Sequence, residues 1–272
     1  MHIKQILKDI DELIKSLDEN LLRYRLSYVK FLNIIPRIPS PGKEKDLKFC
    51  LDSLDSIGYR VGSISYHLGL LRKIDKGMTE QLLKDFFSVD KKDSQSYLMI
   101  YGSDIQRFIF DDIVFNLMSL FDYIGSLFWF SLSGKRGRCI QWSKAWEKTK
   151  KAISGKGKAG NIKPEDLMVC KLILKFHQDL VNDIAQYRGK LIHFKKDRTQ
   201  SQILTDLSDI RRSKFIVFAP VEFINKFEEL VNLSKKRDLT LVETVAWIIK
   251  ESLTAVNEIL SALQKKIIIS EK

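Results

Sequence analysis

An all-α protein is the fold class this sequence predicts, and three features carry the expectation. Apolar residues recur at spacings of three and four over most of the first 75 positions, the repeat of a helix face rather than the alternation of a strand. A later run, roughly Ser103 to Leu132, is apolar nearly all round, the pattern of a helix enclosed by others. The 272 residues include 13 Gly and 5 Pro, and three of those prolines stand together at Pro36, Pro39 and Pro41, so chain breakers are few and concentrated. The expected architecture is a helical bundle with an N-terminal pair of long helices and at most one or two short β-strands.

Taken in order, Ile3, Ile6, Ile10, Leu13, Leu17, Leu21, Tyr24 and Tyr28 form one stripe of a helix that ends near Asn33. The prolines at 36, 39 and 41 stop it, since each removes a donor and biases the residue before it away from helical geometry. Leu47, Leu51, Leu54, Ile57, Val61, Ile64, Leu68, Leu71 and Ile74 make a second stripe, and the two helices are expected to pack antiparallel. A short helix from Thr79 to Phe87 and a brief strand from Tyr97 to Tyr101 come next. Ser103 with Gln106 has capping-box spacing and opens the apolar helix, which runs to Leu132. Pro164, Glu165 and Asp166 begin a helix with proline in its first turn and acids at the positive end of its dipole; its apolar positions continue to His193. Phe215 to Phe218 reads as a strand and Pro220 as the start of a helix through Phe223, Phe227, Leu230 and Val231. Thr240 with Glu243 caps a last helix reaching Leu263. The domain expectation is residues 1–100 as the long N-terminal helices, with the proline-rich break at 34–42, followed by a helical domain over 101–272 packed with them as one unit.

Forty-six basic against 34 acidic residues give a formal charge of +12 and a pI near 9.4, which favours polyanionic partners, nucleic acid before membrane. Cys50, Cys139 and Cys170 lie far apart with no Cys-x-x-Cys, so neither a zinc cage nor a disulfide framework is expected, and no metal or cofactor is called for. The first residues enter a charged amphipathic helix at once, without the apolar core of a signal peptide, so a cytoplasmic protein is expected. The most apolar stretch, Leu117 to Leu132, is shorter than the ~20 residues of a membrane span and carries Asp122, which suits a buried core helix better. His-Glu-x-x-His, Gly-x-Ser-x-Gly and dinucleotide glycine fingerprints are absent from the sequence, and the Gly155 to Gly160 segment lacks the ending of a phosphate-binding loop.

The stretch that carries chemistry is Tyr187-Arg188-Gly189-Lys190-Leu191-Ile192-His193-Phe194. It sets a permanent cation five residues from a side chain that titrates near neutrality. On an ideal helix five residues advance about 500°, so Arg188 and His193 point roughly 140° apart and ~7.5 Å apart along the axis. Either the helix loosens at Gly189 or a second copy completes the pair. Positions 184, 185, 191 and 192 offer Arg188 no acid, so its counter-charge comes from elsewhere in the fold, with Asp122 the candidate, or from a ligand phosphate. Asp197, four residues beyond His193, is placed to orient the imidazole if the helix continues. Arg60 and His67 have similar spacing, but flank a core stripe and read as helix packing.

An Arg-x4-His segment late in a helical domain, with apolar residues between, resembles the HEPN superfamily. The likeness covers Ser103 to Leu263 as helix order and rests on Arg188 and His193. It implies a HEPN-like helical bundle and a metal-independent endoribonuclease acting as a homodimer, in which Arg188 and His193 of both protomers line one cleft and Gly189 lets them approach. Members commonly serve as toxins or antiphage effectors, which implies a protein regulator or antitoxin as a further partner. Where the family usually carries Asn, Asp or His after the arginine, this chain has Gly189.

A second feature is the segment 134–163, with ten basic residues against the single acid Glu147. Lys135, Arg136, Arg138, Lys148, Lys150, Lys151, Lys156 and Lys158, together with Lys190 beside the motif, are candidate RNA contacts, with Trp142 and Trp146 on one helix face as candidate stacking platforms. The bland reading is a solvated surface segment. The alternative function is a non-catalytic RNA-binding or protein-interaction module that keeps the scaffold and uses this flap alone.

Overall fold

The computed structural model describes residues 3–34, 43–86, 92–134, 141–155, 164–192, 201–204 and 213–269. They are mostly helical: α1 (Ile3–Ile34), α2 (Lys43–Phe86), α3 (Lys92–Ser133), α4 (Trp142–Ile153), α5 (Pro164–Phe176), α6 (Asn182–Ile192), α7 (Val221–Ile224), α8 (Glu228–Ser234) and α9 (Leu241–Ile269). A π-helical turn, His177–Val181, joins α5 to α6. Strands β1 (Ser201–Leu204) and β2 (Lys214–Val217) pair antiparallel, with Ser201 opposite Val217 and Leu204 opposite Lys214. The long N-terminal helices and the small sheet agree with the expected class.

Several expected boundaries move, each for a local reason. The short helix at Thr79 is part of α2, because the Thr79 hydroxyl donates back to the Asp75 carbonyl at 3.1 Å instead of capping a new start. Tyr97–Tyr101 is helical, not a strand, and Ser103 lies inside α3, its hydroxyl bonded to the Ile100 carbonyl at 2.9 Å. β1 was not anticipated. The helix expected from Pro220 is two short ones, broken between Asn225 and Phe227. Pro36, Pro39 and Pro41 lie outside the described residues.

The chain sorts into two compact units, each drawn from three stretches: unit 1 from Met1–Ile14, Ser63–Phe115 and Tyr187–Ile248, and unit 2 from Lys15–Gly62, Asn116–Gln186 and Ile249–Lys272. Residue 100, the expected boundary, falls inside α3. In unit 1 an aromatic cluster forms the centre of the core. Phe223 lies 5.0 Å from Phe110, 4.9 Å from Tyr187 and 5.0 Å from Phe227, and Phe227 lies 5.2 Å from Trp247, mostly edge to face. The Phe215 amide donates to Thr79 Oγ1 at 3.3 Å, fastening β2 to α2. In unit 2 the core is built on α3, with Leu117, Phe121, Ile124 and Phe128 fully enclosed. There Tyr24 and Tyr28 of α1 lie against Gly58 of α2, and the Lys266 ammonium sits 2.6 Å from Asp166. Among the described residues one helical stretch, Ile100–Ser133, is long and apolar enough to cross a membrane, and most of it is buried in the fold.

Helix ends follow their sequence signals where the signal is unambiguous. Gly134, at φ 62°, ends α3 with its N–H on the Phe130 carbonyl at 2.8 Å. Thr240 caps α9, its Oγ1 accepting the Glu243 N–H at 3.1 Å. The Glu243 carboxylate takes the fork of Arg237, with Nη1 2.7 Å from Oε2 and Nη2 on Oε1, both side chains being almost buried. Thr240→Ala is therefore expected to cost about 1 kcal/mol of stability. Arg237→Ala, which strands a buried carboxylate, is expected to cost about 3–5 kcal/mol. Guanidinium unfolding of the two variants checks the order, and equal losses would mean that the Glu243 carboxylate is not desolvated as described.

Candidate functional site

The Arg188 turn is positioned by its neighbour. Tyr187 is enclosed in the unit 1 aromatic cluster, so α6 cannot rotate and the direction of the next residue is fixed. Arg188 is half-buried, with its guanidinium carbon 5.4 Å from the centre of the Phe115 ring. Its Nε is buried and has no hydrogen-bond partner among the described residues. Gly189 is helical, and a Cβ there would meet nothing within 4 Å. The backbone therefore does not loosen at Gly189; the departure from α geometry comes earlier, at His177–Val181. Lys190 is engaged within the chain, 2.6 Å from Glu222 of α7, in a half-exposed pair. His193 and Asp197 lie outside the described residues.

Asp122 is assigned to unit 2 and Arg188 to unit 1, and each has its own surroundings. Asp122 Oδ1 accepts the main-chain N–H of Trp142 at 2.7 Å, so it caps the N-terminus of α4, where Gln141 makes no side-chain cap. The residues that surround Arg188 came from no sequence motif. Phe115 of α3 supplies the ring beneath it. No sequence signal marked Phe115 as its neighbour; the sequence directed attention to Asp122 instead.

The basic segment resolves in part into α4. Its inward face is Trp142, Ala145 and Thr149, while Lys144, Lys148, Lys150 and Lys151 are exposed. Lys148 lies 4.3 Å from the centre of a Trp129 ring and Lys150 5.3 Å from that of Trp146, and Lys151 pairs with Glu147 at 2.7 Å. Lys135, Arg136, Arg138, Lys156 and Lys158 lie outside the described residues. Trp142, 1% exposed, packs on Phe121 and donates its indole N–H to His177 Nδ1 at 3.3 Å, so it offers no face to a base. Trp146 stacks on the His177 ring at 4.1 Å. The Trp142 bond puts the His177 proton on Nε2 in the neutral form, and burial holds the pKa of His177 below its ordinary value.

The other Arg/His pair of the sequence is structural. Arg60 donates to Asn116 Oδ1 at 2.9 Å, within unit 2. His67, in unit 1, holds the Ser63 carbonyl through Nδ1 at 2.8 Å with Nε2 3.8 Å from Asp112. A cavity of about 760 Å³ in unit 1, lined by Asp75, Thr79, Lys214 and Phe215 among others, takes in none of the candidate catalytic or RNA-binding residues. Burial pushes the Asp75 carboxyl up to about 6, and Lys214 opposes the shift.

Because His177 binds a proton less readily folded than unfolded, the stability it supports is complete above its ordinary pKa of 6.5 and is lost as pH falls below it. Acidification should therefore release the α4 contacts, read as a change in tryptophan fluorescence. His177→Asn, which keeps an acceptor but does not titrate, should flatten that response between pH 6.5 and 5. An identical acid response in the variant would remove His177 from the account.

Compared with family models, curated proteins and solved structures, the chain matches none.

Proposed function

We propose that this chain is a metal-independent endoribonuclease of the HEPN type, a cytoplasmic homodimer with a HEPN-like bundle that cuts RNA with Arg188 and His193 and serves as a toxin or antiphage effector under a protein regulator. The observation that carries the reading is Arg188 itself, held over Phe115 with a buried guanidinium N–H that has no partner among the described residues. A guanidinium suits a phosphate oxygen well, and with Nε closed to solvent the terminal nitrogens of the half-buried fork are the ones a phosphate would meet. In this reading the 2′-hydroxyl attacks the adjacent phosphorus, His193 moves the proton, and Arg188 neutralises charge on the phosphate oxygens. DNA, without that hydroxyl, is bound and not cut. The exposed lysines of α4 add phosphate contacts.

A non-catalytic RNA-binding module is the second reading, and Gly189 favours it, since open space stands where the resembled family places a polar side chain. Incubation with total RNA in excess EDTA separates the two. The native chain should cleave, and His193→Ala and Arg188→Ala should lose on the order of 10²-fold or more in rate while still binding. Binding without cleavage by the native chain selects the module. Sedimentation at assay concentration should show a dimer; full activity from a monomer would exclude a shared cleft.

Neutralising Lys148, Lys150 and Lys151 to Gln should weaken RNA binding and flatten its salt dependence, each lost phosphate contact lowering the log–log slope by about 0.7. These residues are exposed, so the fold should tolerate the change. An unaltered slope would make α4 a bystander.

A further inference from the structure

Helix α1 carries two apolar stripes where one would bury it. Leu17, Tyr24 and Phe31 are enclosed in unit 2, while Leu22, Leu26 and Val29, at helical spacing on another face, are 59%, 54% and 54% exposed. Beside that second stripe a groove of about 440 Å³ runs between α1, α5 and α9, and Met168 on its far wall is 53% exposed. Arg23 and Lys30 of α1 and Lys265 of α9 line it, against the single acid Glu258. Two hydrogen bonds tie α9 to α1 along the groove, Gln264 Nε2 to the Ser27 carbonyl at 2.7 Å and Asn257 Nδ2 to the Asn20 carbonyl at 3.3 Å. A rigid apolar floor between cationic walls is a preformed receptor rather than a collapsed gap.

We propose that this groove docks an acidic amphipathic helix of a partner protein. Arg23 and Lys30 are seven residues apart, about 10.5 Å along α1, so a helix lying parallel to it meets them with Asp or Glu at i and i+7. Leucine-like anchors between those acids cover Leu26 and Met168. Charge complementarity chooses this occupant over the others. A second copy docking groove to groove would set Arg23, Lys30 and Lys265 against the same three cations. RNA would find cations but no stacking face, and its phosphates would desolvate against exposed leucine. The surface belongs to unit 2 and stands independently of the ribonuclease reading, which rests on Arg188 in unit 1.

The test is fluorescence anisotropy of the full chain with a labelled Leu/Glu peptide that places Leu at i, i+3, i+4 and i+7 on one helix face and Glu on its flanks. A scrambled peptide of equal composition is the control. The patterned peptide should bind about tenfold or more tightly than the scrambled one, and increasingly weakly as salt rises. Leu26→Asp and the triple reversal Arg23→Glu, Lys30→Glu, Lys265→Glu should each abolish that preference; all four sites lie at the surface, and circular dichroism verifies the fold. Equal affinity for the two peptides overturns the proposal. So does self-association that Leu26→Asp abolishes while peptide binding persists, which assigns the groove to a second copy. Loss of RNA binding in the triple reversal with peptide binding intact assigns it to nucleic acid and likewise overturns it.

Discussion

From Ile109 to Phe130, Asp112 is the one exposed residue of α3, and that constraint sets what the other elements must do. A helix of this kind is stable only where other elements remove its sides from water, at about 25 cal/mol for each Å² of apolar surface covered. In unit 1 the covering includes Tyr187 of α6 and Phe223 of α7, each in ring contact with Phe110. In unit 2 it includes Trp142 of α4, on Phe121, and Phe49 of α2, on Phe130. The Arg188 turn and the lysine-bearing helix are thus both held by aromatic side chains that α3 needs for its own burial.

The few polar groups on α3 are where its partners are specified. Asn116 receives Arg60, Asp122 receives the first N–H of α4, and Ser126 and Ser133 turn back onto their own helix at Asp122 and Trp129. Apolar contact is tolerant of rotation and sliding, whereas a half-buried carboxylate holding a helix's first N–H accepts one geometry and is costly in others. Asp122 therefore sets the register of α4 on the core, and the aromatic contacts supply most of the area.

Periodicity was enough to find α1, α9 and the start of α5, because each has a stripe interrupted by clear punctuation such as Pro164 or the Thr240 cap. It failed where a hydroxyl can serve two purposes. Ser103 and Thr79 have the chemistry of caps, and both bond backward within a continuing helix, a choice that tertiary packing makes and local sequence does not. Arg188 stood out because no acid lies within a turn of it along the chain. Phe115 could not stand out, since its relation to Arg188 exists only after α3 and α6 meet. The tryptophans of α4 show the same limit: their spacing placed them on one face, and only the position of His177 shows that the face is turned inward.

The cap of α4 comes from another helix, and this makes α4 dependent for its existence on where it lies. At twelve residues it is near the length at which an isolated helix is marginal in water, and its own N-cap residue contributes no side-chain bond. Separation from Asp122 and His177 would remove its cap, its ring contacts and the burial of Trp142 together. Undocking and uncoiling are then a single event, so the amides of Trp142 to Ile153 should share one opening free energy rather than fray in sequence from either end. For the lysines on its outer face this has an electrostatic meaning: they present a fixed lattice of charge while the helix is seated, and no defined lattice once it has left.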